Sequence, residues 1–176
     1  MIFDFSQKCK TYDADSYKKD GFSRARCPKC RAVGRFGLHG AYHRHVVYFS
    51  KFKLVHKLMK VKRVRCLSCK CTHAVMPGDM APYRLLSLFA VVFMLNLFYL
   101  KKTPALKIAA AWGFSHQFVY SVLLAFRLHA SRICQYFREA SPSAVPPEPG
   151  LAVAAALVRS YSKYFLYLWR SLDMPP

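Results

Sequence analysis

The sequence is poor in acidic residues. It has 8 Asp and Glu against 28 Lys and Arg, and Asp79 is the only acid between Gly21 and Arg138. Glycoside hydrolysis by paired carboxylates and two-metal phosphoryl transfer both need at least two acids in one site. Because the middle of the chain has no such pair, we expect that the protein is not an enzyme, and we assign no catalytic residue.

Long apolar runs are absent as well. Residues 85–100 are mostly apolar, but a membrane-spanning helix needs about 20 such residues. A second apolar stretch, 151–169, has Arg159 and Lys163 in its middle, and such charges are costly inside a bilayer. The chain also opens without an apolar stretch of signal-peptide length. These absences predict a cytoplasmic protein; the alternative is a basic protein that lies on anionic lipid through these two stretches.

Positive charge is what the chain has in excess. Its formal net charge is +20, and 54% of its residues are hydrophobic. That hydrophobic fraction is too high for a disordered basic tail, so we expect a folded core with a strongly positive surface. Such a surface suits a polyanion, and double-stranded DNA is the partner we expect. Structured RNA is the alternative, because aromatic residues among the basic ones could stack on unpaired bases. These aromatic residues are Tyr42, Tyr48, Phe49 and Phe52.

Shifts in composition divide the chain and predict an α+β protein, in which a small zinc-ribbon β-module precedes a mainly α helix-turn-helix cluster. The cysteine-rich part has β-leaning patches, and the part after it has helical periodicity. The predicted segments are an irregular N-terminal arm (1–22), a zinc-ribbon module (23–80), a helical helix-turn-helix domain (81–139), a Pro-rich linker (140–150) and a C-terminal helix (151–176).

Four of the seven cysteines form two C-x-x-C pairs, 35 residues apart. Zinc prefers four thiolate or imidazole ligands in a tetrahedron, and each pair can supply two sulfurs from one turn. Without a secretory signal, such pairs favour metal binding over disulfides. We therefore predict one structural Zn²⁺, whose ligands are Cys27, Cys30, Cys66 and Cys69. Cys71 or His73 is the alternative to Cys69 as the fourth ligand.

Two helices joined by a short turn are predicted after Lys102. Pro104 is tolerated in the first turn of a helix, Gly113 can end that helix, and Ser115 can cap the next one. A turn of three or four residues that contains glycine is typical of a helix-turn-helix. In such a motif the second helix enters the major groove of DNA with its N-terminus first.

The predicted DNA contacts follow from this geometry. The residues expected to face the groove from the second helix are Ser115, His116, Gln117, Tyr120 and Ser121. Among them Gln117 can make a bidentate contact to adenine. The residues expected to bind phosphates are Lys101, Lys102, Lys107 and Arg127 near the helices, and Lys62, Arg63 and Arg65 near the cysteine turns.

The combination of these motifs resembles a known family. The motifs are CPKC at 27–30, a central H-G-x-Y-x-R element at 39–44, and R-x-R-C-x-x-C-x-x-T at 63–72, followed by the helix pair. Together they resemble the N-terminal zinc ribbon and helix-turn-helix of bacterial insertion-sequence transposases and related uncharacterised proteins. The resemblance covers residues 24–135. One departure is Cys71, which stands where that family commonly has glycine.

The resemblance implies a role in recognising DNA. A transposase of this kind continues into an RNase-H-like catalytic domain with three acids, which these 176 residues do not contain. The chain therefore looks like the recognition half alone, acting as a regulator, an accessory transposition factor or a remnant. We expect a nucleoid-associated protein of the bacterial cytoplasm that pairs with a second copy of itself or with a transposition complex.

Overall fold

The computed structural model describes residues 2–4, 6–51, 53–80, 85–140 and 151–160. The chain forms two compact units, Met1–Met80 and Ala81–Pro176. In the described residues, the first unit contains the β-strands and the second contains the helices. The predicted α+β class is confirmed.

A four-stranded sheet forms the first unit, which we call the β unit. Its strands are β1 (Ile2–Asp4), β2 (Phe36–Ser50), β3 (Lys53–Cys66) and β4 (Thr72–Pro77), in the order β1-β4-β3-β2. β2 and β3 form a long antiparallel hairpin, paired from Phe36 with Cys66 to Ser50 with Lys53. A bulge at His39, next to Gly40 with φ 106°, shifts the register of β2 by one residue.

Two small cores lie on opposite faces of this sheet. Alternate residues of a strand point to opposite faces. On β3, Met59 and Val61 therefore serve one core, and Val64 and Cys66 serve the other. The buried residues of the first core are Cys9, Tyr12, Ala14, Val46, Tyr48, Met59, Val61, Met76 and Met80. Those of the second core are Phe22, Cys27, Phe36, Val64, Cys66 and Val75.

Residues 1–22, predicted as an irregular N-terminal arm, lie within the β unit. β1 pairs in parallel with β4, a 3₁₀ turn occupies Lys19–Phe22, and Cys9 and Tyr12 are buried in the first core. A few buried residues and a three-residue strand attach this segment to the sheet. Its mostly polar composition gives no sign of this packing.

Tyr12 shows how the attachment works. Its hydroxyl donates to the Val75 carbonyl at 2.6 Å and accepts from the Lys62 backbone N–H at 3.2 Å. The paired part of β3 and β4 ends at Arg63 and Ala74, which are the direct sequence neighbours of Lys62 and Val75. The phenol therefore satisfies two backbone groups at the point where the strands separate. Burial raises the pKa of Tyr12 to about 12.

Helices form the second unit. They are α1 (Leu88–Leu95), α2 (Ala105–Trp112), α3 (His116–Ala140) and α4 (Leu151–Ser160), and a π-helical turn, Asn96–Leu100, extends α1. The Ser87 hydroxyl caps α1 by accepting from the Ala90 N–H at 3.3 Å. No helix within the described ranges is long and apolar enough to cross a membrane.

A three-residue turn joins α2 to α3. Gly113 ends α2 with φ 67°, in the left-handed region where glycine carries no steric cost. Ser115 caps α3, since its Oγ accepts from the Phe118 N–H at 3.2 Å. Both predicted roles are confirmed. Val119 and Val122 of α3 are fully buried, as is Ile108 of α2.

Two predicted segments fall largely outside the described residues. Residues 141–150 of the Pro-rich linker are not described, and neither are residues 161–176 of the C-terminal helix. Within the second of these segments, the described helix is α4.

Candidate metal centre and basic surface

The two C-x-x-C turns bring four sulfurs together in the β unit. All four Sγ atoms lie within 4.8 Å of one another, and the separations Cys27–Cys69 and Cys30–Cys66 are both 3.7 Å. A tetrahedron with metal–sulfur bonds of about 2.3 Å has edges of about 3.8 Å. The cluster is therefore compatible with one structural metal ion bound by all four predicted ligands.

Each turn is built in the same way, which explains why the sulfurs converge. The Cys27 N–H donates to the Ala32 carbonyl at 2.8 Å, and the Cys66 N–H donates to the Cys71 carbonyl at 2.8 Å. The pairing of Phe36 with Cys66 places the end of the hairpin next to the first turn. The 35 residues between the two C-x-x-C pairs do not keep the pairs apart, because most of these residues form the β2–β3 hairpin, whose two ends lie side by side.

Electrostatics in the cluster favour a bound cation. Backbone N–H groups of Cys69 and Ser68 point at the Cys66 sulfur and lower the pKa of that thiol to about 6. The Cys71 backbone N–H points at the Cys69 sulfur, but burial and the three neighbouring sulfurs raise the pKa of Cys69 to about 12. Four thiols at this separation cannot all ionise to thiolates without a cation between them.

His73 lies beside the cluster. Its Nε2 is 3.3 Å from the Cys27 Sγ, and its ring packs edge-on against Phe36. The ring is buried, and burial lowers the pKa of His73, so the imidazole is neutral near pH 7. In the Nε2–H tautomer the imidazole donates a hydrogen bond to the Cys27 sulfur. Hydrogen bonds of this kind, from a neighbouring residue to a metal ligand, hold the ligand in its orientation. Sequence reasoning treated this histidine as a rival ligand and missed this supporting position.

Cys71 lies outside the group of four sulfurs. The interaction of its side chain with the Lys29 ammonium raises the pKa of Lys29. The structure therefore brings Cys69, rather than Cys71 or His73, into the fourth position.

The remaining cysteines are buried apart from the cluster. Cys9 lies in the first core, with its Sγ 3.7 Å from the Met80 Sδ, and Cys134 lies on α3. Burial raises the pKa of both thiols.

The basic residues predicted near the cysteine turns differ in what they contact. Arg63 donates to the Thr72 Oγ1 at 2.7 Å and is half-buried. Arg65 is exposed, and its Nε donates to the Lys70 carbonyl at 3.1 Å. Lys62 is half-buried. The two arginines therefore support the second cysteine turn, in addition to any contact with a partner.

The predicted recognition residues lie at the start of α3. Ser115, Gln117, His116 and Tyr120 are all exposed, and the rings of the last two meet edge to face with centroids 4.4 Å apart. Ser121 differs, because it is half-buried and its hydroxyl donates to the Phe118 carbonyl at 2.8 Å. The four predicted phosphate-binding residues of this unit are also exposed: Lys101, Lys102, Lys107 and Arg127.

The aromatic residues considered for stacking on RNA are placed differently. Tyr48 is buried in the first core, and Tyr42 packs against that core. Phe49 is half-buried on β2, and Phe52 lies outside the described residues. The geometry therefore does not present Tyr42 and Tyr48 as an open stacking surface.

Comparison with known proteins gives one family match. A family model described as a domain of unknown function (DUF6431) matches residues 27–96, which is less than half of the chain. The match begins at Cys27, contains all four clustered cysteines and the β2–β3 hairpin, and ends just after α1. No curated protein and no solved structure matches the chain. The cysteine turns and the hairpin are thus the part of the chain that is similar to a described family.

Proposed function

We propose that this protein is a DNA-binding protein stabilised by one structural zinc ion, and that it acts as a transposase-like recognition module in an accessory or regulatory role. The zinc ion is held by the four-cysteine cluster and has no open position for catalysis. The protein is not an enzyme in this proposal.

The observation that carries the proposal is the unneutralised positive charge. Even if each of the 8 acids neutralised one base, 20 of the 28 Lys and Arg would remain without an acidic partner in the chain. One such ion pair joins Lys60 to Asp15 at 2.7 Å. A cationic surface of this density binds DNA by releasing counterions from the phosphates.

The α2–α3 pair supplies the proposed reading element. A short first helix, a three-residue turn and a longer second helix fit a helix-turn-helix, and the exposed residues Ser115, His116 and Gln117 lie at the N-terminus of α3. These polar side chains can reach base edges in the major groove. The neighbouring exposed lysines of this unit would bind the flanking phosphates.

The test of DNA binding uses the zinc-loaded full chain. We would measure its affinity for a random-sequence duplex from 50 to 200 mM salt, and select from a random duplex library at near-physiological salt. We expect log K to fall linearly with log salt, with a slope of about −0.9 per phosphate contact. An enriched sequence motif supports recognition of a defined site. A chain that binds no duplex at 50 mM salt contradicts the proposal.

Two competitors distinguish the alternative partners. Structured RNA that displaces duplex DNA at lower concentration than unlabelled duplex would favour an RNA-binding protein. Anionic lipid vesicles that compete better than either nucleic acid would favour a membrane-associated protein. We expect duplex DNA to be the strongest competitor.

Base reading and phosphate binding are separated by two substitutions. Gln117→Ala should change the preferred sequence, whereas Lys62→Ala should weaken binding to all duplexes about equally. Gln135→Ala is the matched control, because Gln135 is an exposed glutamine further along the same helix. An equal loss for every duplex with Gln117→Ala contradicts the assignment of base reading to this residue.

A further inference from the structure

Left-handed backbone in the described residues carries an unusual set of side chains. The non-glycine residues with positive φ are Arg31 (64°), Lys51 (48°), Lys70 (61°) and Lys102 (54°). All four are basic, and all four are exposed. Long side chains rarely adopt this conformation, which glycine adopts without cost and asparagine tolerates. A basic residue at such a position is therefore disfavoured by its backbone conformation.

Two of these residues occupy equivalent places beside the metal centre. Arg31 directly follows Cys30, and Lys70 directly follows Cys69, so each is the residue after a C-x-x-C turn. The sulfurs of the two turns lie within 4.8 Å of one another. Bond geometry then keeps the Cα atoms of Arg31 and Lys70 within about 18 Å. One bound metal ion would therefore hold the two turns that carry these cations next to each other.

The charge of the metal centre does not by itself account for the pair. A zinc ion with four thiolates carries a net negative charge that a nearby cation can offset. Lys29 lies within the first C-x-x-C turn, so a cation other than Arg31 and Lys70 already stands beside the cluster. The segment from residue 21 to residue 78 contains no acid, so neither Arg31 nor Lys70 has an acidic residue close to it in the sequence.

We propose that Arg31 and Lys70 form a two-residue phosphate clamp at the metal end of the β unit, which binds the backbone of duplex DNA. The clamp rests on the proposed DNA-binding function and adds a second contact surface to the one proposed on α3. The bound metal holds the two turns together, and each cation binds one phosphate. The contact is independent of base sequence.

The test replaces each residue by glycine in the zinc-loaded full chain. Arg31→Gly and Lys70→Gly remove a charge and also relieve the left-handed backbone. Each should weaken duplex binding about five- to ten-fold at 0.1 M salt and reduce the salt slope by about 0.9, while the thermal midpoint and zinc affinity stay equal or rise. Lys51→Gly is the matched control, because it makes the same changes at the opposite end of the β2–β3 hairpin. We expect less than a two-fold change in its affinity.

Several outcomes overturn the clamp. These are an unchanged salt slope in both variants, an equal loss of affinity in Lys51→Gly, or a loss of zinc affinity that accounts for the loss of DNA binding. Arg31→Asn and Lys70→Asn repeat the charge removal with a residue that tolerates positive φ, so a folding defect specific to glycine is separated from the effect of charge. If the unaltered protein binds no duplex, the proposed function fails; if it binds but the variants match the control, only the clamp fails.

Discussion

His73 offers the sharpest test of how the cysteine cluster is organised. His73→Phe keeps a ring that can pack against Phe36 but removes the nitrogen that lies 3.3 Å from the Cys27 sulfur. Loss of such a partner to a ligand lowers metal affinity about 10- to 100-fold, which is about 1.4 to 2.7 kcal/mol. Because the ring is buried, water cannot replace the lost N–H donor. We therefore expect zinc affinity to fall by this factor while the metal-loaded protein remains folded.

The assay is a Co²⁺ titration in competition with a chelator of known affinity, followed by displacement with Zn²⁺. The visible spectrum of Co²⁺ reports the ligand set, and it should remain that of four thiolates in both the unaltered protein and His73→Phe. His73→Gln, which restores an N–H donor, should recover part of the affinity. Unchanged affinity in His73→Phe would refute the supporting role. A spectrum that gains sulfur character in the variant would show instead that His73 is a ligand.

Three further predictions concern the rest of the fold. Tyr12→Phe leaves the Val75 carbonyl and the Lys62 N–H without a partner and should lower the free energy of urea unfolding by about 2 kcal/mol. Tyr48→Phe is the control and should cost much less, because the Tyr48 hydroxyl has no partner among the described residues. The folded-state pKa of Tyr12, about 12, exceeds its ordinary value of 10.0, so its contribution is complete below pH 10 and is lost as pH rises to 12; Tyr12→Phe should show a smaller loss in that window, and an identical pH profile would contradict this reasoning. Cys71→Ser should leave Co²⁺ affinity within about three-fold, because this sulfur lies outside the group of four; a large loss would make Cys71 a ligand. Gly113→Ala forces a side chain into the left-handed region with open space around it, and thermal unfolding should report a cost of about 1 kcal/mol, whereas no change would mean that the turn adapts freely.

The cysteine spacing was the most informative part of the sequence. Two C-x-x-C pairs predicted the four sulfurs that the fold brings together, because each pair folds locally into the same turn. Gly113 and Ser115 likewise marked the end of α2 and the start of α3, since backbone conformation and capping act within one helical turn. The α+β class followed from the same local patterns.

Contacts between distant segments could not be predicted in this way. The attachment of the N-terminal residues depends on Tyr12, whose partners Lys62 and Val75 are 50 or more residues away. The burial of Tyr48, which sequence reasoning placed on an RNA-binding surface, depends on the face of the hairpin that is covered.

The amino-acid sequence by itself therefore determined the ligand types, the net charge, the end of α2 and the start of α3, because these depend on residue identity and on contacts within a few residues. Only the tertiary structure decided which nitrogen lies beside the Cys27 sulfur, which arginines support the second cysteine turn, and which basic residues stand in left-handed backbone. These features depend on the register of the β2–β3 hairpin and on the way two distant turns meet, neither of which a local pattern encodes.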